Sequence, residues 1–136
     1  MVFAGSLNVR ITDINYGGHA GNDSIVAMIH EARVRFLKKL GYGELELENV
    51  GLIMSDLAVE YKAELFHGDV LNMYVAAGDF SRIGFELYYQ LKKVTGEQEI
   101  VAANAKTGMI CFDYNAKKAV ALPEEARRKF ENLKIS

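Results

Sequence analysis

A single proline, a single cysteine and no tryptophan are what this 136-residue sequence most obviously withholds. Cys111 alone cannot form an intramolecular disulfide, and no cysteine cluster exists to hold a structural metal. A disulfide scaffold is therefore excluded, and the chain reads as one from a reducing compartment. The shortage of proline leaves long elements uninterrupted. Charge of one sign is also missing: 16 Lys+Arg against 18 Asp+Glu give a formal −2, so nothing points to nucleic acid or a membrane surface as the main partner. No apolar run approaches the roughly 20 residues that span a bilayer, and the opening MVFAGS lacks the charged and long apolar regions of a secretory signal. The expectation is a soluble, cytoplasmic protein. No low-complexity linker or internal repeat breaks the chain, which predicts one domain over residues 1–136.

What is present is apolar and aromatic: half the residues are hydrophobic, and seven Phe and seven Tyr accompany 12 Gly. That composition supports a buried core and argues against a disordered chain. Alternation of Leu7, Val9 and Ile11 with Asn8, Arg10 and Thr12 predicts a first strand over residues 7–14. The stretch 15–22, NYGGHAGN, concentrates glycine and asparagine and predicts a loop, with Asn22 as helix N-cap and Asp23 in the first turn. Ile25, Met28, Ile29, Ala32, Phe36 and Leu40 then recur at helical spacing over residues 23–40, ending at Lys38, Lys39 and Gly41. Val26, Val34 and Leu37 fall off that stripe, so the helix is expected to be covered on several sides. Four apolar segments with strand character follow at 50–63, 69–80, 83–94 and 99–114, punctuated by turns at 67–69 and 95–97. A short helix follows Pro123, acidic first and basic last. Strand, long helix, then four strands without intervening helices predicts an α+β domain with an antiparallel sheet of about five strands around one long helix.

Residues 13–22, DINYGGHAGN, followed at helical distance by Glu31-Ala32-Arg33 and Phe36-Leu37, resemble the hotdog-fold thioesterases. The likeness is to the branch related to 4-hydroxybenzoyl-CoA and short-chain acyl-CoA thioesterases. Val59-Glu60-Tyr61-Lys62, Phe66-His67-Gly68-Asp69, Ser81-Arg82 and residues 108–113 continue it in order over nearly the whole chain. The resemblance implies a hotdog fold, protomers joined sheet to sheet as a homodimer or dimer of dimers, and an active site at the subunit interface. It implies an acyl-CoA or acyl-carrier thioester as substrate, and no cofactor or metal.

Thioester hydrolysis needs donors for a developing oxyanion and a group that attacks the carbonyl or activates water. Matching Gly18 to the family's loop glycine places its oxyanion N–H on Asn22. Three residues before that glycine, where the aspartate-dependent relatives carry their catalytic carboxylate, this chain has Asn15. Asparagine is no base, but it can hold water or the thioester carbonyl by hydrogen bonds. The carboxylates in reach are Asp13, Asp23 and Glu31; Asp23 ranks first for its place beside the donor, and Glu31 second because some relatives use a helix glutamate. Each has a plainer role: Asp23 complementing the helix dipole, Glu31 pairing with Arg35 at i+4, His19 fixing the loop instead of acting as base, and Asn15 making a turn. His30, His67 and Cys111 read as structural. Arg82 resembles a position near the nucleotide phosphates, with Lys62 and Lys106 as further candidates. Tyr16, Tyr61, Phe66 and Phe85 would line an acyl pocket or serve as core. Two other functions fit the same pattern, a non-catalytic acyl-CoA-binding module and an enoyl hydratase or dehydratase using His19 with a carboxylate.

Overall fold

The computed structural model describes residues 1–133. Among them the chain forms β1 (Val2–Asn8), α1 (Asn22–Lys39), β2 (Gly51–Tyr61), β3 (Val70–Gly78), β4 (Gly84–Thr95), β5 (Gln98–Asp113), the two-residue β6 (Lys118–Ala119) and α2 (Glu124–Glu131). All pairings are antiparallel, in the order β1-β3-β4-β5-β2. Pairing of β4 with β5 stops at Ile110, and β6 takes up Phe112 and Asp113 beyond it. The α+β architecture is the expected one, with the short β6 as a sixth strand.

Alternation decides which side chains form the core. Leu71, Met73 and Val75 of β3, Phe85, Leu87, Tyr89 and Leu91 of β4, and Met109 and Cys111 of β5 are all buried. They meet Ile25, Met28, Ile29, Ala32, Phe36 and Leu37 of α1 as one cluster. The helix lies against β1, β3 and β4. Its expected cover on several sides is only partly realised: Leu37 is fully buried, whereas Val34 remains 42% exposed. Beyond Lys39, Gly41 adopts φ +82° while the Gly41 and Tyr42 amides donate back to Lys38 and Leu37 carbonyls, closing the helix as the sequence pattern predicts. The ring of Phe130 on α2 packs 4.8 Å from Phe85 and 6.2 Å from Phe36, sealing that end of the core.

The first strand lies earlier than the alternation suggests, at Val2–Asn8 instead of 7–14. Its register against β3 runs from Val2 opposite Val75 to Asn8 opposite Val70, with a bulge at Gly5. Beyond Asn8 a local bond wins over the ladder: the Arg10 N–H donates to Asp13 Oδ2 at 2.8 Å and the Arg10 guanidinium to Asp13 Oδ1 at 3.2 Å. This folds Ile11–Asp13 into a 3-10 turn. No helix among the described residues is long and apolar enough to cross a membrane.

Candidate functional site

The loop from Asn15 to Gly21 is tied down at both ends by backbone bonds. Asn15 N–H donates to His19 O at 3.0 Å, Ala20 N–H to Leu65 O at 2.8 Å and Gly21 N–H to Asp13 O at 3.2 Å. Inside it, Asn15 Oδ1 accepts the Gly17 N–H at 2.9 Å, an Asx turn that realises the plainer reading of this residue. That bond also orients the amide: its oxygen accepts from Gly17, and Nδ2 lies on the side of Gly21. Gly18 takes φ +88°, where a side chain would be strained.

Helix α1 starts one residue earlier than the sequence suggests. Gly21 is the N-cap, in extended conformation at φ −75° and ψ 163°, and Asn22 is the first helical residue, so the Asn22 side chain does not cap. A glycine cap has no oxygen to offer, and no side chain caps this end. Ile25 N–H closes the first turn onto Gly21 O at 3.1 Å. The Asn22, Asp23 and Ser24 amides therefore have no carbonyl one turn back, at the end of the helix where the dipole favours negative charge.

Three side chains crowd around Gly21 and Gly17. A Cβ on Gly21 would stand 2.8 Å from Asp23 Oδ1 and 3.8 Å from Asn15 Nδ2, and one on Gly17 would stand 3.5 Å from His19 Nε2. The Asp23 carboxylate thus folds back over the cap, beside the open amides. Its neighbours line two separate hollows. Asn22, His19, Tyr61 and Lys62 share a cavity of about 250 Å³ with Ile25 and Glu64. Ser24, Glu31 and Arg35 line a larger groove of about 560 Å³ between α1 and β1. Asp23 is exposed and lines neither hollow.

Within the smaller cavity, His19 Nδ1 donates to Ala20 O at 3.3 Å, which leaves Nε2 as the ring atom turned outward. The Glu64 carboxylate lies 4.0 Å from it. Glu64 escapes sequence reasoning because Lys62 and Glu64, flanking Ala63 just after β2, look like any solvated turn. Lys62 itself reaches Glu60 at 3.5 Å.

The remaining candidates are dispersed. Glu31 Oε2 is bound by Arg35 Nε at 2.6 Å, the i+4 pair weighed against a chemical role. Asp13 is engaged by Arg10. Burial pushes its carboxyl pKa up, but the bonds from Arg10 outweigh this and hold it below the ordinary carboxylate range. Tyr16 is fully exposed and lines neither hollow. Phe85 is core, and Phe66 is 45% exposed with the Lys93 ammonium 5.3 Å from its ring centre. Arg82 lines a third groove with Phe80, Leu122 and Arg127, away from the loop in this chain. Lys106 is held on the sheet by Asp56 at 3.0 Å and Glu86 at 3.1 Å. Burial pushes the Cys111 thiol up to about 11, so it stays protonated at neutral pH, a poor nucleophile. Among the described residues, no group of three or more His, Cys, Asp or Glu side chains is arranged to hold a metal.

Comparison with known proteins covers nearly all of this framework. Residues 9–130 match the thioesterase-like superfamily. A relative from Aquifex aeolicus (strain VF5), provisionally named as an esterase, is 26% identical over 127 residues, spanning 92% of this chain and 94% of its own. Among solved structures, a DHNA-CoA thioesterase from Staphylococcus aureus superposes with a TM-score of 0.85 at 21% identity, covering 100% of this chain and 98% of that one. A hypothetical Staphylococcus aureus protein in complex with CoA gives 0.83 at 19% identity, covering 100% and 90%. At such identities the superpositions speak for the fold alone, while the family match runs from the residue after β1 to Phe130 in α2. The chain belongs to the thioesterase-like superfamily and carries its hotdog fold.

Proposed function

We propose that this protein is an acyl-CoA thioesterase whose reaction is centred on the open N-terminus of α1. The carrying observation is the convergence at Gly21: uncapped amides, the Asp23 carboxylate and the Asn15 amide donors within one small region. In this reading the thioester carbonyl oxygen meets the Asn22 N–H, where the helix dipole stabilises the developing oxyanion. Asp23 takes a proton from the attacking water, whose oxygen bonds to the carbonyl carbon. Asn15 Nδ2 holds the water or the carbonyl in place. The carbon–sulfur bond then breaks, its electron pair leaves on sulfur, and free acid and CoA depart. Superfamily membership and a CoA-bound structural neighbour support this substrate class.

The same reading makes the protein a homodimer with its site completed by a second copy. β2 is an edge strand of 11 residues, open on the side away from β5. Tyr61, at its end, also lines the cavity that holds His19 and Asn22. A copy joined through this edge would sit against the site.

A panel of acyl-CoA esters, read by free-thiol release, tests the proposal; no turnover of any chain length or aromatic acyl group rejects it. Asp23→Asn should lower kcat about a hundredfold or more, and Glu31→Gln less, because Glu31 is committed to Arg35. Unchanged activity in Asp23→Asn removes that carboxylate from the mechanism. Asn15, an amide that cannot act as a base, favours one second reading, an acyl-CoA-binding module without hydrolysis. That reading predicts ligand-dependent thermal stabilisation in the absence of thiol release.

A further inference from the structure

Resting on the thioesterase reading, we propose that His19 is the proton donor to the departing thiolate and that Glu64 is its positioning residue. Hydrolysis of a thioester moves two protons, and Asp23 accounts for only the one taken from water. The sulfur leaves with an electron pair and needs the second. His19 is placed to supply it. Its Nδ1–H is held by Ala20 O at 3.3 Å, so the ring orientation is set from the loop backbone. Its Nε2 faces the cavity that Asn22 also lines. When the ring carries both protons, Nε2–H looks toward Glu64 Oε1 at 4.0 Å. That is close enough for the carboxylate to attract the imidazolium, yet longer than a hydrogen bond, so the proton stays available to a sulfur entering the cavity.

The balance is complete. Water loses a proton to the Asp23 carboxylate, the carbon–sulfur pair moves to sulfur, sulfur takes the proton from His19 Nε2, and both groups reset by exchange with solvent. The other charged groups around the ring are few. Lys62 is turned to Glu60 at 3.5 Å, Asp13 is occupied by Arg10, and Asp23 sits over Gly21. Glu64 is the carboxylate paired with the ring. Its side chain is 66% exposed and contacts no core residue through an ion pair or hydrogen bond, so altering it leaves the fold intact.

Leaving-group dependence separates this role from simple loop support. An aryl thioester releases a thiolate of low basicity that needs no proton, whereas CoA is an alkyl thiol. His19→Gln should lower kcat for an acyl-CoA about a hundredfold or more and lower turnover of the matched aryl thioester by a much smaller factor. Glu64→Gln should show the same pattern at smaller amplitude, and Glu64→Asp should recover part of the loss. Equal losses on both substrates in His19→Gln, or no loss in either variant, overturn the proposal while the thioesterase reading stands. Failure of the wild-type protein to hydrolyse either ester overturns both.

Discussion

At the scale of single residues, Gly21 governs the site because it lacks a side chain. Its φ of −75° is open to any residue, so backbone strain plays no part. The constraint is the 2.8 Å that would separate an added Cβ from Asp23 Oδ1. Gly21→Ala should therefore push the carboxylate off the cap and lower kcat for acyl-CoA, with a thermal midpoint close to wild type. A variant that retains full activity would mean that the position of Asp23 over the cap is irrelevant to the reaction. Asn15 makes the complementary point. Resemblance marks it as a departure from an expected aspartate, and the structure adds that its oxygen accepts the Gly17 N–H in an Asx turn. That assignment follows from one hydrogen bond that no residue pattern announces.

At the scale of elements, α1 is bound to the sheet by more than its apolar stripe. Arg33, with a side chain 8% exposed, donates to Glu44 at 2.7 Å and to the Tyr89 hydroxyl at 3.3 Å, and Tyr89 bonds Thr107 at 2.6 Å. His30 holds the other oxygen of Glu44 at 2.8 Å. Partial burial pushes the Glu44 carboxyl pKa up, but the bonds and charges of Arg33 and His30 outweigh it, so the net shift is downward from 4.5. A carboxyl with a depressed folded value contributes stability that is complete above its unfolded value and lost as pH falls through the folded one. Urea unfolding should therefore show stability declining below about pH 4.5, and Glu44→Gln should flatten that limb. At neutral pH the same substitution should cost about 1–3 kcal/mol, because a buried guanidinium loses its charged partner. A limb unchanged in the variant would show that other carboxyls carry the acid sensitivity.

At the scale of the whole molecule, the strand order leaves β1 and β2 as the two sheet edges. Edges of this kind are covered, bent or joined to another copy. The β1 edge is interrupted by a register shift between Phe3 and Gly5. β2 carries a register shift between Met54 and Asp56, yet Met54 and Tyr61 along it remain 45% and 48% exposed. Sedimentation at micromolar concentration should give a dimer or larger assembly, and a charge placed on this edge, as in Met54→Lys, should weaken it. A monomer at all concentrations would leave the proposed interface site without its second half. The open cavity at Tyr61 and the exposed Val34 on α1 fit a protomer whose surface is finished by a neighbour.

The sequence by itself determined the order of elements, since each long strand and α1 follows from local period, and the 15–22 loop from its glycines and asparagines. It also located the residues around the loop–helix junction through resemblance. Where local hydrogen bonds compete with periodicity it misled: Asp13 captures Arg10 and ends the strand before the alternation does, and Gly21 displaces Asn22 as the cap. Only the tertiary structure decided which distant groups meet. Glu64 comes to His19 because the end of β2 passes the start of α1, joined by the Ala20–Leu65 bond, while Arg82 and Glu31 are carried to other surfaces. Such meetings depend on chain segments more than 40 positions apart, and a pattern read over one turn or one strand contains no information about them.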